Sequence, residues 1–153
     1  MLKAKEINEK EIISKWLKWI FELPVNSREN MAFRNDALEV FPEAQPPLYV
    51  AEQRMVYYIV YSGALEQLLV KLNWDASPDT VYVAGIVRLN RGEKGHSCLN
   101  KLIDEMRPLF EGKKKTYLYA KAISPKGHRL LSNLGTHFAT DCVDSNSFRF
   151  HVV

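Results

Sequence analysis

Cysteine is nearly missing from this chain of 153 residues, and the two present, Cys98 and Cys142, stand far apart. That excludes a disulfide framework and the paired spacing of a structural zinc site, and it predicts reduced thiols. The four histidines, at 96, 128, 137 and 151, are scattered without metal-ligand spacing, so no metal site is expected. No apolar run reaches the roughly 18 to 20 residues of a membrane span, and acidic residues interrupt the amino-terminal segment before a signal-peptide layout can form. A net charge of +3 is too small to argue for nucleic acid, and Lys113-Lys114-Lys115 reads as a solvated turn. There is no internal repeat, flexible linker or shift in composition. The exclusions leave a soluble, cytoplasmic protein folded as one compact unit.

What is present is ordinary globular material, 46% apolar and 25% charged. Leu2 to Ile7 suits a short strand. Asn8 with Glu11 resembles a capping box opening a helix with Ile13, Trp16, Leu17, Ile20 and Phe21 on one face, and Leu23-Pro24 ends it. Ser27 can cap a second helix that stops at Pro42. Leu48 to Ala51, Met55 to Tyr61 and Leu68 to Leu72 read as sheet, with a turn at Ser62-Gly63, although Ala64 to Leu72 also fits one face of a short helix. Asn73 to Asp79 is a loop. Val81 to Val87 is a near-continuous apolar run suited to a strand buried on both faces.

From Ser97, the residues Leu99, Leu102, Ile103, Met106 and Phe110 form a helical stripe, with Pro108 expected to distort its last turn and Gly112 to terminate it. A strand at Tyr117 to Ile123, a helix at Pro125 to Asn133 and a closing pair of strands at His137 to Val143 and Phe148 to Val153 complete the pattern. The last strand, carrying Phe148, Phe150, Val152 and Val153, is expected to leave an apolar edge that a partner subunit covers, giving a homodimer.

Chemistry points first to the segment Arg91-Gly92-Glu93-Lys94-Gly95-His96-Ser97, between a strand and a helix. Glycines let a backbone approach a ligand closely, and a helix start offers unpaired N–H groups and the positive end of a dipole to phosphate. A plain turn has the same composition. A second polar junction, Ser124-Pro125-Lys126-Gly127-His128-Arg129-Leu130-Leu131-Ser132-Asn133-Leu134-Gly135-Thr136, follows the next strand.

These two segments, in this order of elements, resemble the GNAT superfamily of acyl-CoA-dependent N-acyltransferases. Gly95 takes the glycine place of that family's pyrophosphate loop and Ser97 its small-residue place, while Gly92 replaces the usual Gln or Arg and Arg91 lies one residue early. In the second segment Ser124 falls on the polar place, Gly127 on the small place and Leu134-Gly135 on the Leu-Gly pair. The resemblance implies a single GNAT-like domain over 1–153, an α/β fold with a mixed, mostly antiparallel twisted sheet splayed between its fourth and fifth strands and flanked by helices. It also implies acetyl-CoA as co-substrate and an amine acceptor, joined by direct attack without a covalent enzyme intermediate. The cofactor-binding residues it implies are Val87, Leu89, Arg91, Gly92, Lys94, Gly95, His96, Ser97, Ser124 and Lys126, with a backbone N–H around Val87 to Leu89 polarising the thioester carbonyl. Leu131 stands where many members carry a tyrosine that protonates the departing thiolate.

Leucine cannot donate that proton, so the same resemblance also admits a catalytically silent acyl-CoA-binding or protein-interaction module. Tyr117, Tyr119, His128 and Ser132 are near in sequence, and no catalytic acid is assigned. Asp75, Asp79 and His96 are candidate bases, each weighed against an ordinary loop role. Cys98, on the apolar stripe, reads as an inert buried thiol rather than a nucleophile. Trp74 reads as core or as the wall of a substrate pocket. A nucleic-acid-directed acetyltransferase has only the mild positive charge behind it, and the acceptor is not legible.

Overall fold

The computed structural model of the chain describes residues 2–7, 55–90 and 92–153. The two helices and the strand at Leu48 to Ala51 expected before Met55, and the candidate Arg91, lie outside the described residues.

The described chain forms β1 (Leu2–Ile7), β2 (Met55–Ser62), β3 (Leu65–Asn73), β4 (Thr80–Arg88), α1 (Gly95–Gly112), β5 (Tyr117–Lys121), α2 (Pro125–Leu134), β6 (Thr140–Asp144) and β7 (Ser147–His151). The strands make one seven-stranded sheet in the order β1-β2-β3-β4-β5-β7-β6. Every pairing is antiparallel except β4 with β5. Gly63, at φ +60°, opens a two-residue turn that pairs Ser62 with Leu65 and resolves the ambiguous 64–72 stretch as strand. The alternation of β3 puts Leu68, Val70 and Leu72 into the core cluster, while Leu69 is buried on the opposite face.

α1 lays Leu99, Leu102, Ile103, Met106 and Phe110 against that core. It runs on through Pro108 to Gly112, and the ladder resumes where Lys113 N–H donates to Leu109 O at 3.0 Å. Proline removes only its own N–H, and buried Met106 and Phe110 anchor the turns on either side. The end of the helix also differs from expectation. Gly112 is its last helical residue, and the left-handed position is Lys114, at φ 57°. Lys115 N–H reaches back to Phe110 O (2.8 Å) and Lys114 N–H to Glu111 O (3.1 Å), which makes a Schellman closure around a lysine. The lysine run is therefore not simply solvated: Lys115 is buried and donates its Nζ to Ser77 O, and Lys113 Nζ sits 5.3 Å over the Trp74 ring.

α2 starts as its sequence predicts, with Ser124 Oγ accepting from Gly127 N–H at 3.0 Å and Pro125 in the first turn. It buries Leu131 and Leu134 beside Leu118, Phe148 and Phe150. The closing strands correct one expectation. β7 lies between β5 and β6, so Phe148, Phe150 and Val152 are core residues and not an open apolar edge. The edge is β6, a short strand with Asp141, Asp144 and an irregularity between Cys142 and Asp144, all features that discourage edge pairing.

Candidate functional site

β4 and β5 stay paired for only three rungs, Thr80 with Tyr117, Val81 with Leu118 and Tyr82 with Tyr119. Beyond Tyr82 the two strands part. This corrects the expectation of a strand covered on both faces: Thr80 and Val81 are buried, but Tyr82 to Val87 are half-buried or exposed. Ala84 has no partner on β3, because Lys71 pairs with Gly85 and Leu72 with Val83. The strand thus bulges where it leaves β5, a device that bends a strand and re-aims its backbone groups.

A second bulge shapes the loop after β4. In β3, Val60 pairs with Leu68 and Tyr61 with Glu66, leaving Gln67 as the extra residue. Gln67 is 1% exposed. Its carbonyl accepts from Leu89 N–H (2.9 Å) and Asn90 N–H (3.4 Å), and its side-chain Oε1 accepts from Glu93 N–H at 3.0 Å. Asn90 Nδ2 donates to Glu66 O at 2.6 Å, and Arg88 donates through Nη2 to Glu93 O and through Nε to Asn90 O. Gly92 lies against the Gln67 amide, where a Cβ would stand 3.4 Å from Nε2. A polar residue inside a strand gave no sign of this role in the sequence; the only available signal was a glutamine interrupting an apolar strand.

The first-turn amides of α1 have no acceptor among the described residues. Lys94 is its N-cap in extended conformation and no side chain caps the helix. The N–H groups of Gly95, His96 and Ser97 therefore lack intrahelical acceptors and carry the positive end of the helix dipole. Arg88 adds a guanidinium beside them. A Cβ on Gly95 would stand 2.9 Å from Arg88 Nη1 and 2.7 Å from Leu130 Cδ1 of α2, so the glycine permits close approach of both. The His96 ring stacks on His137 with centroids 6.0 Å apart. Desolvation first, then the charges of His137 and Lys94, hold its pKa below the usual histidine value.

Across the gap, α2 begins at the end of β5, with Ser124 as its cap and Lys126 exposed in its first turn. The fold thus sets Val87, Leu89, Gly92, Lys94, Gly95, His96 and Ser97 on the β4 side and Ser124 and Lys126 on the β5 side. Leu89 N–H is already donated to the sheet. Leu131 is 3% exposed and part of the core. His128 engages Ser145 O through Nε2 (3.0 Å) and contacts Ser132 Oγ through Nδ1 (3.4 Å). Tyr82 and Tyr119 sit edge to face at the last paired rung, centroids 5.1 Å apart.

The other candidates sit in structural roles. Asp79 accepts from Thr80 Oγ1 (2.9 Å) and Ser77 Oγ (3.1 Å), hydrogen bonds that pull its pKa down. Asp75 is exposed in the loop after β3. Cys98 is 1% exposed and burial pushes its thiol up, away from nucleophilic use. Trp74 packs on Phe110 at 5.1 Å. Among the described residues, no group of three or more His, Cys, Asp or Glu is placed to hold a metal, and no helix is long and apolar enough to cross a membrane.

A sheet parted after a parallel rung, with a helix starting from each separated strand, invites comparison with known structures. The aminoglycoside 6'-acetyltransferase type Ii superposes with a TM-score of 0.62 at 10% identity, covering 99% of this chain and 97% of that one. The Campylobacter jejuni N-acetyltransferase PseH in complex with acetyl coenzyme A matches at 0.50 and 17% identity, over 98% and 96% of the two chains. The fold is that of the GNAT acetyltransferases. Aminoglycoside acetyltransferase AAC(6')-Ib, in complex with coenzyme A and kanamycin, has the same GNAT architecture at TM-score 0.58 and 12% identity, covering 97% of this chain and 93% of that one. No family model and no curated protein matches the sequence.

Proposed function

We propose that the chain is an acyl-CoA-dependent N-acetyltransferase, a single GNAT-like domain over residues 1–153 that passes the acetyl group of acetyl-CoA to an amine. The observation that carries this reading is the opening between β4 and β5, lined by half-buried Val83, Ile86 and Val87 and headed by the uncapped first turn of α1. An apolar strand left half open is costly unless something fills the gap. The open N–H groups of Gly95, His96 and Ser97, with Lys94 beside them, are matched to a pyrophosphate. Val87 and the Leu89 region border the pantetheine arm, Gly92 keeps the loop low, and Ser124 and Lys126 flank the arm from α2. That two structural neighbours hold acetyl coenzyme A or coenzyme A supports the same assignment.

In this reading a neutral amine attacks the thioester carbonyl, whose oxygen is met by a backbone N–H of β4 near the Ala84 bulge. Titration calorimetry of the purified protein with acetyl-CoA and CoA tests it. Saturable heat is expected, and none at millimolar ligand would end it.

A second reading, a catalytically silent acyl-CoA-binding or protein-interaction module, draws on Leu131 in the core and on Glu93 N–H being spent on Gln67. A thiol-release assay across amines and peptides separates the two, since sustained CoA release above the hydrolysis blank removes the silent reading.

A further inference from the structure

Transfer of an acetyl group from sulfur to nitrogen leaves a thiolate that needs a proton, and the neighbouring polar groups do not offer one. Leu131 is apolar and packed into the core. His128 is turned toward Ser145 and Ser132. Cys98 is buried on the inner face of α1.

The floor of the opening is different. Val81 and Leu118, on the middle rung of the β4–β5 pairing, point into the core beneath α1. By strand alternation Tyr82 and Tyr119, on the last rung, point to the opposite face. They are half-buried, and neither phenol hydrogen-bonds to another described residue. Their position along β4 matters. From Arg88, beside the open amides of α1, back to Tyr82 the strand covers about 20 Å at ~3.3 Å per residue. That is the order of length of an extended phosphopantetheine arm. A CoA whose pyrophosphate rests on Gly95 to Ser97 therefore brings its sulfur down to the Ala84 bulge and this tyrosine pair.

We propose that the Tyr82–Tyr119 pair supplies the proton to the departing CoA thiolate. The inference rests on the acetyl-CoA reading above. The amine nitrogen bonds to the carbonyl carbon, the C–S bond breaks with its electron pair on sulfur, and a phenol of the pair donates its proton to give CoASH. The resulting phenolate recovers a proton, by way of water, from the nitrogen that has become the amide. The sum is thioester plus amine giving amide plus thiol, with no other reactant.

The test uses the full chain and the variants Tyr82→Phe, Tyr119→Phe and the double variant, which retain the ring contact. The first readout needs no acceptor: the pH profile for alkylation of the bound CoA thiol by iodoacetamide, with affinity for CoA measured by calorimetry. A phenol donating to sulfur shifts the wild-type profile toward lower pH than free CoA, and at least one Phe variant returns it to the free-CoA position at unchanged affinity. With any amine the enzyme accepts, the same variant loses kcat on the order of 10²-fold while KM for acetyl-CoA holds. If all three variants bind CoA and keep the wild-type thiol profile, the assignment is wrong and the acetyl-CoA reading stands. If the wild type binds neither CoA nor acetyl-CoA, both fall together.

Discussion

Leu131 serves packing at the place where the GNAT resemblance implies a proton donor. At 3% exposure, within a cluster that includes Leu118, Leu134 and Phe150, it is a core residue. Leu131→Ala is expected to cost about 2–5 kcal/mol, read from a urea melt. Leu131→Tyr overpacks the same place at about 1–3 kcal/mol, and its phenol enters the core, so turnover does not rise. His96 behaves differently because its environment acts on charge. Its pKa is held below the usual histidine value, chiefly by desolvation, so the folded protein binds that proton less readily than the unfolded chain. The contribution of this site is fully present above the unfolded pKa and is lost as pH falls through the depressed folded value. Urea midpoints across that acidic window should therefore fall less steeply for His96→Gln than for the wild type; equal slopes would show that another group controls the loss. In the sequence, the residues that announce a role by local chemistry were legible: Ser124 before Pro125 is a cap, and Gly95 is a point of close approach. Gln67 was not, because its role depends on a bulge that only the pairing of β2 with β3 creates.

At the scale of elements, periodicity located β4, α1, β5 and α2 within a residue or two, since each buries a face that the sequence spells out. The ends were less legible. Gly112 looked like the stop of α1, yet the left-handed residue is Lys114, chosen by the Schellman bonds to Phe110 and Glu111. A lysine there carries a backbone cost that glycine avoids. Lys114 is exposed, and Lys114→Gly is expected to stabilise the protein by about 0.5–1 kcal/mol after the larger unfolded-state entropy of glycine is set against the relief. A guanidinium chloride midpoint that rises with unchanged m-value would bear this out. The outer strand of the sheet is illegible for a related reason. Phe148, Phe150 and Val152 alternate as a half-covered strand does, and no local signal says that β6 passes β7 to take the outside position.

For the whole molecule, the parted sheet separates a rigid region from a responsive one. β2 and β3 lie inside the sheet with neighbours on both sides, whereas β4 beyond Tyr82 has a partner on one side only. Hydrogen exchange should show slow amides across β2 and β3 with or without ligand. Exchange should be faster in 83–87 and at Gly95 to Ser97, slowing when acetyl-CoA is added. Protection spread evenly over the sheet would show that ligand does not enter the gap. The general architecture was legible from the alternation of strands and helices, and the exposure of β4 was not, because an apolar run reads alike whether a neighbouring strand or a ligand covers it.

The same three rungs have a consequence for how the chain acquires its shape. The pairs β2–β3, β3–β4 and β6–β7 close over short turns, while Thr80 to Tyr82 meet Tyr117 to Tyr119 only after a crossover that includes all of α1. Long-range closure must be completed before its contacts give any return. We expect the hairpins β2–β3–β4 and β6–β7 to organise first and the β4–β5 seam to close late, with φ-values near zero for conservative truncations at Val81 and Leu118; values near one would place the seam in the nucleus instead. On that order of events the gap between β4 and β5 takes its shape after the transition state, once the hairpins beside it are in place.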